Sequence, residues 1–145
     1  MRLAIDASRQ ALERGDEPYG AALVGPDGQV RLVAGNMQNT TPDCTAHAEM
    51  VLLRRTQTEL GPAALLGATV YASGEPCAMC AGALYWAGVE HVVYAATQPQ
   101  MAAALGGRLL PARCADLLGA ARPPLRVTGA VLADEAMAVI LGARR

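Results

Sequence analysis

Apolar residues at Leu3, Ala4, Ala7, Ala11 and Leu12 recur at helical spacing, and Gly15 and Pro18 close the segment, so the chain opens on a predicted helix. The apolar run Ala21–Gly25 meets Gln29–Gly35 across Pro26-Asp27-Gly28. The Asp-Gly step there is a hairpin signal, which predicts two antiparallel strands. A polar loop from Asn36 to Asp43 leads to a second helix predicted over Thr45–Leu60 and stopped by Gly61-Pro62. The β-rich run Ala68–Ser73 predicts a third strand, and Pro76 suits the first turn of a third helix over Cys77–Ala87, ended by Gly88. Val89–Ala96 predicts a fourth strand, parallel to the third because a helix separates them. Beyond Thr97 the pattern predicts helical pieces at Met101–Leu105 and Cys114–Ala120, an edge strand at Leu125–Val131 and a last helix at Asp134–Leu141.

The length of 145 residues and 52% apolar content fit one domain over residues 1–145. A chain of this size buries roughly two thirds of its unfolded surface, so its core needs no disulfide or structural metal. A bound metal is therefore expected to serve chemistry. All 12 basic residues are arginine and phenylalanine is absent, which leaves Ala, Leu and Val to fill the core. A net charge of −1 without a basic run argues against nonspecific binding to long nucleic acid, whose affinity comes largely from phosphate neutralisation. No apolar run reaches the roughly 18 to 20 residues that span a bilayer. Asp6, Arg9 and Glu13 interrupt the stretch where a signal peptide would be apolar, so a cytoplasmic location is expected. In a reducing compartment a C-x-x-C pair reads as metal-binding or redox-active.

Two motifs carry chemistry: His47-Ala48-Glu49 at the start of the second helix and Pro76-Cys77-Ala78-Met79-Cys80 at the start of the third. A thiolate at a helix N-terminus is favoured by the helix dipole, and the three-residue step puts Cys77 and Cys80 on one helical face. One imidazole and two thiolates form a sound zinc set. Zinc with three protein ligands keeps its fourth position for water, whose pKa it lowers to about 7. Glu49, two residues past His47, points away from the imidazole and is placed to move protons without displacing a ligand.

H-x-E followed by P-C-x-x-C, in the order helix, two strands, helix, strand, helix, strand from Tyr19 to Ala96, resembles the cytidine and deoxycytidylate deaminase superfamily. The resemblance implies a three-layer α/β/α sandwich around a mixed five-stranded sheet. It also implies one zinc per subunit on His47, Cys77 and Cys80, Glu49 as proton shuttle, and homodimers with Tyr85, Trp86 and Met101 as candidate contacts. Asn36 is similar to the asparagine that meets substrate ahead of the H-A-E motif, and Ala48 is assigned with it as a substrate contact.

Asp43-Cys44-Thr45-Ala46-His47-Ala48-Glu49 resembles the D-P-T-A-H-A-E form of bacterial guanine deaminases and tRNA adenosine deaminases, with Cys44 in place of proline. Ala83–Ala87 and Val92–Ala96 are similar to the guanine deaminase version, although the segment from Thr97 to Leu110 carries no carboxylate. Gly106-Gly107-Arg108 echoes the tRNA-editing relatives. The expected activity is hydrolytic deamination of a nucleobase or nucleoside, with a guanine-type purine base favoured. The alternatives are tRNA adenosine, cytosine or cytidine, and a structural zinc module closed by Cys44 or Cys114.

Several residues have two readings. The C-x-x-C pair is a zinc pair or a redox dithiol, with the upstream H-x-E favouring zinc. Asn36 contacts substrate or satisfies a turn. Trp86 stacks a base or packs its helix. Cys44 and Cys114 read as core residues ahead of metal ligands, and His91 as a hydrogen-bonded strand end ahead of a second metal site. Asp134 and Glu135 read as carboxylates at a helix N-terminus ahead of a substrate role.

Overall fold

In the computed structural model, which describes residues 1–143, helix α1 (Arg2–Glu13) buries Ala4, Ile5, Ala7, Ser8 and Ala11 along one stripe. It runs so close to the start of β1 (Gly20–Val24) that a Cβ at Gly20 would collide with the Ala4 carbonyl. The hairpin turns at Asp27-Gly28, where Gly28 takes φ 79°, and β2 (Val30–Gly35) pairs antiparallel with β1, setting Ala21 opposite Ala34 and Leu23 opposite Leu32. Next come α2 (Ala48–Glu59), a 3-10 turn at Pro62–Leu65, β3 (Thr69–Gly74), α3 (Ala78–Trp86) and β4 (His91–Ala96). The chain then forms α4 (Gln98–Leu105), α5 (Cys114–Gly119), β5 (Arg126–Thr128) and α6 (Ala133–Gly142).

The sheet order is β2-β1-β3-β4-β5. β3 is antiparallel to β1 and parallel to β4, which is in turn parallel to β5, so the five-stranded sheet is mixed, as expected. One face packs Leu23, Val70, Val92 and Tyr94 against Leu52 of α2, Leu84 of α3 and Leu118 of α5. The other brings Ile5 of α1, Ala104 of α4 and Val139 and Ile140 of α6 to Ala95 and Ala96. These are the three layers the family resemblance implied. Each fully buried leucine or isoleucine contributes roughly 1.5–3 kcal/mol relative to exposure. Among the described residues, no helix is long and apolar enough to cross a membrane.

Local chemistry shifts several predicted boundaries. α2 begins at Ala48 and not at Thr45, because Asp43 Oδ1 accepts hydrogen bonds from the Thr45 amide (2.8 Å) and hydroxyl (2.7 Å) and holds that stretch in a turn. His47 thereby becomes the N-cap, in extended backbone. Pro76 precedes α3, whose N-cap is Cys77. α4 starts three residues earlier than predicted, where Thr97 and Gln100 close a capping box around Pro99. β5 stops at Thr128, short of the predicted Val131. A Cβ at Gly129 would strike the Tyr94 ring, and Ala130 and Leu132 take positive φ.

Candidate active site

The carboxyl ends of β3 and β4 face a cavity of about 500 Å³, and the N-termini of α2 and α3 converge there. The two helix starts bring His47, Cys77 and Cys80 together, with one donor atom from each within 4.8 Å of the others. His47 Nδ1 lies 3.7 Å from Cys77 Sγ and 3.6 Å from Cys80 Sγ. A tetrahedral zinc with bonds of about 2.3 Å to sulfur and about 2.0 Å to nitrogen sets those atoms about 3.5 Å apart, so the donor set fits zinc without rearrangement. Neither Cys44 nor Cys114 joins this group, which removes the donors a closed structural site would need.

Without metal, the Cys77 thiol is pushed down to about 4, first by the hydrogen bond from Cys80 and then by the one from His47. Cys80 is correspondingly pushed up, since it keeps the proton that the two sulfurs share. The hydrogen bond to Cys77 raises His47. Glu49 lines the cavity beside His47 and Cys77, is only 7% exposed, and has its carboxyl raised above the usual range by burial. Tyr19, also in the wall, is pushed up to about 12 by burial, then by Glu17 and Glu49, and stays a neutral phenol.

Asn36, Ala48 and Trp86, the expected substrate contacts, are not among the residues that line the cavity. Asn36 is fully buried behind the wall: its Oδ1 accepts from the Gln38 amide at 2.9 Å and its Nδ2 donates to Gln38 Oε1 at 2.7 Å. Gln38 lines the cavity in its place. Ala48 is fully buried at the first residue of α2. Trp86 is 84% exposed, contacts Tyr85 edge-on at 5.3 Å, and borders a separate groove with Leu117 and Leu118. It neither reaches the chain's own cavity nor packs into the core.

Other readings are sorted in the same way. Cys114 is buried, but Cys44 is exposed and lines the cavity, contrary to the core position expected for it. The turn held by Asp43 carries Cys44 outward. His91 Nε2 lies 2.8 Å from Thr128 Oγ1, the hydrogen-bonded strand end expected of it. Glu135 pairs with Arg2 at 3.0 Å on the surface. Met101 belongs to the cavity and not to an outer surface, and a Cβ on Gly74 would stand 2.7 Å from its sulfur. Sequence reasoning missed Tyr19, Gln38, Thr45, Glu75, Gln98 and Arg108 as lining residues. The Thr97-x-x-Gln100 capping box was the one local signal for where the α4 wall begins.

Residues 1–96 match the cytidine and deoxycytidylate deaminase zinc-binding region. The chain belongs to this deaminase family. It is 33% identical over 144 residues to the probable cytosine deaminase of Schizosaccharomyces pombe, covering 94% of this chain and 85% of that protein. It is also 39% identical over 139 residues to the tRNA(Ile)-lysidine synthase of Deinococcus deserti, where 94% of this chain spans a quarter of the relative's length (25%). The solved structure of a tRNA:A34 deaminase superposes with a TM-score of 0.79 at 31% identity, covering 96% of each chain. Within this deaminase family the His47, Cys77 and Cys80 cluster is a zinc site, and the chain is a hydrolase acting on C–N bonds.

Proposed function

We propose that residues 1–145 form one deaminase unit that removes the exocyclic amino group of a free nucleobase or nucleoside, with a guanine-type purine base first among them. The observation that carries this reading is the shared cavity in which buried Glu49 faces the three zinc donors. In net terms, water replaces the amino group on a ring carbon and ammonia leaves. Zinc, when bound, supplies an acidified water for that attack. Glu49, raised by burial, takes one proton at its carboxylate and gives it to the ring nitrogen, then relays a second proton, from the attacking oxygen, to the departing amine. The Gln38 and Gln98 side chains offer neutral hydrogen-bonding groups that suit an uncharged base edge.

The distribution of arginines supports a small substrate. Around the cavity, Arg54 pairs with Asp43 at 3.1 Å and Arg113 with Glu75 at 2.8 Å. Among the described residues, Arg108 is the one arginine that lines the cavity, and no carboxylate lies in ion-pair range of it. Such a mouth offers little to a polyanion, whose binding rests on several phosphate contacts. The second reading, adenosine in tRNA, is favoured by the tRNA:A34 deaminase that matches 96% of each chain.

Two further elements belong to the proposal. A second copy of the chain covers Trp86 and the groove beside it in a homodimer. The protein works in the cytoplasm, because a Cys77–Cys80 disulfide would remove both sulfur donors and a reducing compartment prevents it.

The test is ammonia release by zinc-loaded protein from guanine, adenine, cytosine and their nucleosides, alongside inosine formation in tRNA. Turnover of a free base with no inosine in tRNA is expected. Salt-sensitive tRNA binding with inosine formation, and no turnover of free bases, decides for the second reading.

A further inference from the structure

Glu75 is the residue before Pro76, and its side chain is 1% exposed. It faces the cavity edge, yet its carboxylate is fully engaged by two distant pieces of chain. Oε2 accepts from the Gln98 amide at 2.8 Å, at the first residue of α4. Oε1 accepts from Arg113 Nε at 2.8 Å and from the Cys114 amide at 3.0 Å, at the start of α5. Arg113 also reaches the Tyr94 hydroxyl at 3.5 Å. The segment between these anchors holds Met101, Leu105, Arg108, Leu109 and Leu110 in the outer wall of the cavity. From Gly106 to Arg113 it has no helix or strand of its own.

We propose that Glu75 is a positioning residue that fixes both ends of the 98–113 wall and so sets the substrate cavity, without taking part in proton transfer or metal binding. One carboxylate closes a loop of this length at both ends, which lowers the entropy lost when the wall forms around a base. The three donors it accepts come from two backbone amides and one guanidinium, and a neutral amide at this position cannot satisfy all of them. The wall it holds carries no carboxylate of its own between Thr97 and Leu110. The consequence for substrate affinity rests on the deaminase reading above; the mechanical role does not.

Hydrogen exchange on zinc-loaded Glu75→Gln, with guanine turnover measured in parallel, tests this. Exchange across residues 98–114 is expected to speed up about tenfold or more, with zinc remaining at one per chain. KM for guanine is expected to rise about tenfold while kcat changes less, and Glu75→Asp to restore part of the protection. Arg113→Gln, which removes one donor from the exposed side, is expected to loosen residues 106–114 and leave Gln98 protected. It carries the test if Glu75→Gln does not fold. Unchanged exchange over 98–114 in these variants overturns the proposal, as does zinc loss from Glu75→Gln with the wall still protected. Absence of guanine turnover in the wild type counts against the substrate reading and leaves the exchange and zinc results to decide the role of Glu75.

Discussion

His47 Nδ1 stands 3.6 Å from Cys80 Sγ, although 33 residues separate them in the chain. The parallel β3–α3–β4 crossover and the Asp43 turn ahead of α2 bring them together, so the metal site depends on two helix starts holding their positions.

Chelation is therefore expected to strip one zinc per chain and abolish turnover, with activity returning on stoichiometric zinc. His47→Ala and Cys80→Ser are each expected to bind less than one zinc when measured by metal analysis after dialysis. Full zinc occupancy in either variant contradicts the donor assignment.

Cys44 is exposed while Cys114 is buried. In zinc-loaded protein one thiol is expected to react rapidly with a disulfide reagent, and Cys44→Ser is expected to remove that reaction with zinc unchanged. A drop in zinc content on Cys44→Ser means that Cys44 is a fourth ligand.

Asp16 is buried and fastens the loop before α2, accepting from the Asn39 amide at 3.0 Å, the Thr40 amide at 2.9 Å and the Thr40 hydroxyl at 3.0 Å. Burial pushes its carboxyl up, but the bonds from Thr40 and Asn39 outweigh burial and hold it below the usual range. A depressed pKa contributes stability above the unfolded value, and that stability is lost as pH falls through the folded value. Asp16→Asn is expected to cost about 1.5–3 kcal/mol at pH 7, and the difference from wild type to shrink at about pH 3. Thermal melts of metal-free protein at both pH values read this, and an equal Tm at pH 7 rejects it.

Trp86 is the large side chain with most to gain from a partner, at 84% exposure. Trp86→Arg is expected to shift sedimentation from dimer to monomer with one zinc per chain retained. A wild type that sediments as a monomer at micromolar concentration removes the dimer from the account.

The elements up to Ala96 were legible because their signals are local: the apolar runs of β1 and β2, Asp27-Gly28 at the turn, Gly61-Pro62 after α2. The zinc ligands were legible because short spacings on helix starts fix both motifs. The cavity wall was not, since Gln38, Gln98 and Arg108 reach it only through long-range packing, and Glu75 recruits partners 23 and 38 residues away. Asn36 and Trp86 illustrate the limit of a motif. Its position in the chain was identified, but burial behind Gln38 and exposure at the end of α3 decide what each side chain meets.

The most direct measurement is the ammonia-release rate of Glu49→Gln beside wild type, with zinc quantified in the same samples. The account predicts one zinc per chain in both and a rate lowered by on the order of 10² to 10⁴ in the variant. Wild-type activity in zinc-loaded Glu49→Gln contradicts the assignment of Glu49 and the mechanism built on it.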